Sequence, residues 1–389
     1  MTKKWSSRLT FFAFVVLMVG LGSNDSLRGI FSTIFQEHFS LTTTQLGLIV
    51  TASYIGNLVF LLVGGNLSTR FSKKRVLQVL ILIWMAALAL FAFTSNYTVL
   101  LIGMALALGS STLLNTTMNL ITPLLFATAP GFFVNFLFFT QEIGTSGSQY
   151  ILGSHADGFA FWQHTNLVLL ILGAVAFVLL LFCNVPEEAA APADAPAQKG
   201  GYDWRIIVPY VLVFGFYFIA EHGVMNWMVA YGVDGLGLPQ ASAAKYLSVF
   251  FGGMMIGRLC LSPLVDKLGA LKSLAAFGGV SCVLYLIGSL GGAGTMPVWA
   301  ISGLSFSILY PTLVMSIRLY FPAQQVSGAA GTILSIASLA DILFNVGFGK
   351  LVDMAGYAVS IRVLPLSVLA FFIVFMLFTK FCKPTQKLK

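Results

Sequence analysis

Residues Leu9–Phe39 read LTFFAFVVLMVGLGSNDSLRGIFSTIFQEHF. A helix of about 20 apolar residues crosses the hydrocarbon of a bilayer, and this run is long and greasy enough to do so. Asn24, Asp25 and Arg28 interrupt it at bilayer depth. An acid there costs about 2.5–3.5 kcal/mol on insertion scales, so it is expected to face a wet cavity or a buried partner and to have a function. Glu142, Glu221 and Asp341 repeat the pattern in three later hydrophobic runs.

Composition carries the same message along the whole chain. Of 389 residues, 58% are hydrophobic and 9% charged, against about 25% charged in a soluble domain. An ordinary cytoplasmic enzyme is therefore excluded. The net charge of +8 raises nucleic acid as a partner, but its distribution points to a membrane. Lys3, Lys4 and Arg8 precede the first span, and Arg70, Lys73, Lys74 and Arg75 follow the second. Lys199 and Arg205 lie in the centre, Lys267 and Lys272 after the eighth span, and Lys380, Lys383, Lys387 and Lys389 at the end. If about twelve helices alternate, most of the basic residues fall on one face. The positive-inside rule makes that face, with both termini, cytoplasmic. The basic start followed by a span without a small-residue cleavage site reads as a retained first helix. Cys183, Cys260, Cys282 and Cys382 have no ligand spacing and read as packing thiols, neither disulfides nor a metal site.

The hydrophobic runs are Leu9–Phe35, Gln45–Leu67, Val76–Thr94, Val99–Phe126, Phe132–Ser154, Leu167–Cys183, Ile206–Tyr231, Tyr246–Leu264, Leu274–Leu290, Val298–Tyr320, Gly331–Leu351 and Val363–Lys380. Between the sixth and seventh lies VPEEAAAPADAPAQKGG (185–201), an Ala/Pro-rich polar stretch that reads as a solvated linker. The expected organisation is an N-terminal six-helix bundle over 1–184, a cytoplasmic linker over 185–204 and a C-terminal six-helix bundle over 205–389. The halves echo each other, the signature of a duplicated transporter. Gly65-Asn-Leu-Ser-Thr-Arg70-Phe-Ser-Lys73-Lys74 follows span two, and Ser262-Pro-Leu-Val-Asp266-Lys267-Leu-Gly269 follows span eight. Gly153 precedes Asp157 by the same spacing as Gly349 precedes Asp353.

The first of those loops resembles the signature loop of the major facilitator superfamily, with Thr69 in place of the acid and Ser72 in place of the second glycine. The second copy keeps Asp266 and Gly269. Within that superfamily the chain is most similar to the fucose–galactose–glucose:proton symporter group. The patches that carry this are Asn24-Asp25-Ser-Leu-Arg-Gly29, Phe39-Ser-Leu-Thr-Thr-Thr-Gln45-Leu-Gly-Leu-Ile49, Glu221-His-Gly-Val-Met-Asn-Trp227 with Tyr231, Gly257-Arg258, and Tyr310-Pro311-Thr312 followed by Gly328 to Gly356. The resemblance implies an all-α membrane protein of two six-helix bundles that carries a small polar solute with protons. It assigns a cytoplasmic gate to Arg70, Arg258 and Asp266.

Candidate site residues follow from the polar stripes. Asp25, Glu142 and Asp341 are candidates for proton coupling, because a carboxyl in a partly dry cavity loads and unloads protons near neutral pH. Asn24, Asn115, Asn119, Gln141, Glu221, Asn226 and Trp227 are candidates for solute contact. The acids and amides meet hydroxyls, and the indole either stacks on a sugar ring or packs in the bundle. Arg28, where the family pattern has an apolar residue, either neutralises Asp25 three residues away or presents a two-pronged donor to an anionic solute. Asp341 reads as a second protonation site, a cation ligand or an arginine partner. The family's acid in the fourth span is missing, with Asn115 near its place.

No P-loop, metal-ligand spacing or nucleophile–base pair is present, so no enzyme activity, cofactor or metal is expected. The expected protein is a monomeric inner-membrane carrier whose partners are a small solute, protons and the bilayer, with no nucleic acid. Its rivals are a proton-driven exporter of drugs or metabolites and a carrier of organic anions.

Overall fold

The computed structural model describes residues 3–126, 130–183, 185–186 and 202–384. Contacts divide the chain into two compact units, Met1–Ala195 and Pro196–Lys389. The linker stretch 187–201 and the side chains of Arg70, Asp266 and Asp341 lie outside the described residues.

The first unit contains α1 (Lys3–Ile30), α2 (Ser32–Phe39), α3 (Thr43–Arg70), α4 (Lys73–Phe93), α5 (Tyr97–Leu125), α6 (Pro130–Ile151) and α7 (Phe159–Leu181). The second contains α8 (Trp204–Ala230), a π turn at Tyr231–Gly235, α9 (Gln240–Leu268), α10 (Ala270–Leu290), α11 (Met296–Ile301), α12 (Gly303–Phe306), α13 (Leu309–Ser316), α14 (Ala323–Ala355), α15 (Tyr357–Ser360) and α16 (Val363–Phe381). Eleven stretches among the described residues are long and apolar enough to cross a membrane. The 22-residue α6 is a further helix of about 33 Å, in the place of the expected fifth span. Large apolar side chains such as Phe12, Ile55, Leu82, Ile171 and Val283 are exposed on helix faces, as a lipid solvent requires.

Helix starts are written locally. Thr42 Oγ1 accepts from the Gln45 backbone N–H at 3.2 Å while Gln45 Oε1 accepts from the Thr42 N–H at 2.9 Å, a reciprocal capping box that opens α3. Asn96 and Asp203 cap α5 and α8 through the Val99 and Arg205 N–H groups. At the other end of a helix, Lys74 Nζ donates to the carbonyls of Leu181 and Cys183 at 3.0 and 2.7 Å. It thereby satisfies carbonyls that the terminus of α7 leaves open.

Three expected boundaries are corrected. The sixth span starts at Phe159 rather than Leu167, because Gln163, His164 and Asn166 lower its hydropathy without breaking the helix. The first span bends at Phe31 (φ −96°, ψ 10°) into α2, yet the Phe31→Leu27 and Phe35→Phe31 bonds of 2.9 Å carry the ladder across. The tenth span, expected as one helix from Val298 to Tyr320, is the broken series α11–α12–α13. Pro311 lacks the N–H that would reach Ser307 O, and its ring crowds that carbonyl. Ser302, Ser305 and Ser307 turn their hydroxyls back onto the carbonyls of Trp299, Ser302 and Leu304, which competes with the helical ladder. Among the thiols, Cys183 and Cys282 are buried as packing groups, whereas Cys260 is exposed.

Within unit 1, α1 packs on α6 and α3 on α5; within unit 2, α8 packs on α14 and α9 on α12. Glycines set these approaches. A Cβ on Gly22 of α1 would overlap the Gln141 carbonyl of α6, and one on Gly144 would overlap that of Val19 in return. Gly56 meets the Ala105 carbonyl in the α3–α5 contact, and Gly303 meets that of Phe250 in the α9–α12 contact. The same small-residue device joins the second and fourth spans of each unit.

Candidate functional site

In unit 1, α5 supplies a polar ladder to its two neighbours. Ser111, Asn115 and Asn119 recur every four residues, so they share one face of the helix. Ser111 Oγ donates to Asp25 Oδ2 on α1 at 3.2 Å. Asn115 Nδ2 donates to Gln141 Oε1 on α6 at 2.6 Å, and Asn119 Nδ2 donates to Asn115 Oδ1 at 2.6 Å. Ser26 and Ser148 are 2.7 Å apart between α1 and α6, and Thr145 Oγ1 donates to Gly22 O at 3.2 Å. The expected residues Asp25, Asn115, Asn119 and Gln141 therefore come together. Glu142, next to Gln141 and so about 100° around the helix, is half-buried.

Two neighbours of Asp25 on α1 are buried. Asn24, expected at the solute, is buried and gives its Oδ1 to the Trp84 indole N–H at 3.2 Å. That bond fastens α1 to α4. Arg28 is buried with its guanidinium carbon 5.7 Å from the centroid of the Tyr54 ring, a distance at which a cation is attracted to the π face.

In unit 2 the carboxylate of Glu221 stands among tyrosines. It lies near Tyr217, Tyr285 and Tyr310, and Arg258 lies near Tyr217 and Tyr310. Tyr217 stacks on Phe306 at 4.8 Å and lies 5.9 Å from Tyr310. Arg258, expected at the gate, thus lies near two of the tyrosines that surround Glu221. The tyrosines are the part of this cluster that sequence reading missed. The spacing of Tyr217 and Glu221, one helical turn apart, was the available signal. His222 stacks on Phe218 at 5.5 Å.

Trp227 is fully buried, packs 4.8 Å from Phe348 and donates its Nε1 hydrogen to Asn345 Oδ1 at 2.8 Å. The structure gives the indole to the contact between α8 and α14 rather than to an open face. Asn226 beside it is also buried. Trp227→Phe should therefore lower stability by about 1–2 kcal/mol, the scale of a buried bond lost from one side, with solute affinity unchanged. Thermal melting and binding of the purified variant measure the two effects. Among the described residues no cluster of His, Cys, Asp or Glu has the geometry of a metal site.

Two glycine-interlocked helical units, each with polar groups buried among apolar spans, define a multi-span membrane carrier. The model of the Major Facilitator Superfamily matches residues 10–343, and the chain belongs to that superfamily. It is 27% identical over 344 residues to a glucose/galactose transporter of Brucella abortus, covering 82% of this chain and 81% of the relative. It is 24% identical over 334 residues to the L-fucose-proton symporter of Escherichia coli, covering 74% and 75%. It is 25% identical over 384 residues to the 3-(3-hydroxy-phenyl)propionate transporter of Escherichia coli, covering 91% of each. The resemblance to the sugar-symporter group of this superfamily therefore holds.

Proposed function

We propose that the protein is a proton-coupled secondary transporter of a small polar solute, a sugar or sugar derivative. The solute crosses the bilayer by alternating access. The observation that supports this most directly is the Asp25 carboxylate on the α5 ladder, bonded to Ser111 and in line with Asn115, Asn119 and Gln141. A carboxyl at bilayer depth is expensive, and amides and hydroxyls beside it suit a polyhydroxylated solute. Kinship points the same way, since two relatives are named for sugars and one of those for a proton as well. The third is named for an aromatic carboxylate, so the residues of the site rather than kinship must select the charge of the solute.

In this reading Asp25, Glu142 and Asp341 exchange the proton, and Glu221 with its tyrosines receives solute hydroxyls from unit 2. Arg70, Arg258 and Asp266 belong to the cytoplasmic gate, and both termini are cytoplasmic in the inner membrane. The test is a solute panel in proteoliposomes under an imposed pH gradient, scored for accumulation and for internal acidification. Accumulation without acidification would remove the proton.

Glu221→Gln separates binding from coupling. An amide still bonds hydroxyls but loses charge-assisted strength, about 1 kcal/mol per bond. The half-saturation concentration should rise about fivefold to tenfold, as such a loss implies, with maximal rate and pH profile kept. A flattened pH profile in this variant would move Glu221 to the proton path.

A further inference from the structure

Ser110 and Ser111 are neighbours on α5, both buried, and their hydroxyls go to different places. A serine inside a helix ordinarily turns its hydroxyl back onto the carbonyl three or four residues earlier. Ser110 does so, with Leu106 O at 2.6 Å and Ala107 O at 3.2 Å. Thr116, Thr117 and Thr122 do the same further along the helix. Ser111 instead crosses to α1 and donates to Asp25 Oδ2 at 3.2 Å. Its hydroxyl serves the carboxylate of another helix rather than the backbone of its own.

Backbone contacts fix both ends of this bond. Gly22, three residues before Asp25, sits where a Cβ would overlap the Gln141 carbonyl of α6. Gly109, two residues before Ser111, sits where a Cβ would come within 2.8 Å of the Gly56 carbonyl oxygen of α3. α1 is thereby held on α6 and α5 on α3, and the Ser111–Asp25 bond joins the two pairs. Arg28 follows Asp25 by one turn of α1 and lies against Tyr54 of α3. α6 carries Glu142 and Tyr150, and α7 carries His164. Glu37 and His38 of α2 are exposed. α5 has no charged residue, and its single titratable one is Tyr97 at the start, so a hydroxyl is what it offers Asp25.

We infer that Ser111 is a positioning residue of the proton site: its hydroxyl favours the carboxylate form of Asp25 and sets the pH at which that acid takes up a proton. A hydrogen bond to an ionised acceptor is about twice as strong as one between neutral groups, so the bond from Ser111 stabilises the charged form more than the neutral acid. The proton passes from solvent onto the carboxylate and later returns to solvent, and the Ser111–Asp25 bond weakens while it is held. This inference deepens the transporter reading above and rests on it for the use of the proton.

The test uses the full-length protein as wild type, Ser111→Ala, Ser111→Thr, Ser111→Cys and Ser110→Ala, and the same four substitutions on an Asp25→Asn background. Two quantities are followed over a pH series: melting temperature in detergent, and D-glucose uptake by proteoliposomes with the same pH on both sides. Uptake that needs a protonated Asp25 falls as pH rises. In Ser111→Ala the midpoint of that fall should move up by about one pH unit, because the acid loses a bond that favours its charge and keeps its proton to higher pH. Ser111→Thr keeps the hydroxyl and should keep the midpoint. Ser111→Cys, a weaker donor, should fall between, and Ser110→Ala should leave the midpoint in place. Ser111→Ala should melt below the wild type at pH above the midpoint, and the gap should narrow below it, where the acid is neutral. On the Asp25→Asn background the gap should no longer vary with pH.

A melting gap of the same size at every pH makes the bond structural and overturns the inference. The same midpoint shift in Ser110→Ala overturns it as well, as does a pH-dependent gap that persists without Asp25, which would assign the titration to another group such as Glu142 or His164. Should Ser111→Ala fail to fold, Ser111→Cys decides, and an unmoved midpoint there overturns the role. A melting gap that depends on both pH and Asp25, in a protein that takes up no glucose, supports the role of Ser111 and counts against the sugar-transport reading alone. Glucose uptake with a pH profile indifferent to Ser111 leaves the transporter reading standing and removes this inference.

Discussion

Gly144→Ala should cost the protein about 3 kcal/mol or more, whereas Gly147→Ala, three residues along the same helix, should cost nothing. The added Cβ at position 144 falls into the Val19 backbone on α1. A backbone cannot rotate aside as a side chain does, so the two helices must separate. Separation would loosen the Ser26–Ser148 and Thr145–Gly22 bonds with it. Overpacking of a tight contact costs about 1–3 kcal/mol and more when backbone must shift. At Gly147 nothing lies within 4 Å of the new atom. There the exchange gains roughly 0.5–1 kcal/mol of helix propensity. Melting temperature and monodispersity of the two purified variants decide it. Equal stability would mean that the α1–α6 contact is looser than its geometry.

Asp25→Asn should abolish accumulation of solute against its gradient while leaving the folded protein and solute exchange in place. The amide keeps the size of the carboxyl and can still accept from Ser111 Oγ, which stands 3.2 Å from Oδ2, but it cannot take up and release a proton. Removing a charge from the interior of a span also removes a solvation cost, so loss of folding is not expected. Proteoliposomes containing the variant should equilibrate labelled solute by exchange and show no acidification under an imposed gradient. Accumulation at the wild-type level would transfer the coupling role to another acid, with Glu142→Gln as the next variant to examine.

Much of the architecture was legible because its causes are local. A bilayer demands about 20 apolar residues per helix, and that demand appears residue by residue in Leu9–Phe35, Val76–Thr94 and Val363–Lys380. The capping box of Thr42 and Gln45 lies within four residues of itself and so could be met in the primary sequence. Asp25 stood out for the same reason: its cost depends on the solvent around its helix, whatever the neighbours are. The ladder of Asn115 and Asn119 was visible as a polar stripe, since lipid tolerates no such face.

What sequence could not supply is azimuth and partner. Asn24 and Asp25 are adjacent and equally polar, yet one fastens α1 to α4 through Trp84 and the other meets α5 through Ser111. A rotation of about 100° separates those fates, and only the packed helices define its origin. Trp227 read equally well as a sugar platform and as a packing ring until Asn345, 118 residues away, took its indole hydrogen. Gln149 was legible as part of the polar stripe of the fifth span, but that its amide finds no protein partner shows only in the packed helices. Hydropathy and periodicity thus determined that the chain is a multi-span helical membrane protein with acids inside it. The tertiary structure decided which buried polar groups hold helices together, as Asn24, Ser26 and Trp227 do, because a hydrogen bond is satisfied in three dimensions and not along the chain.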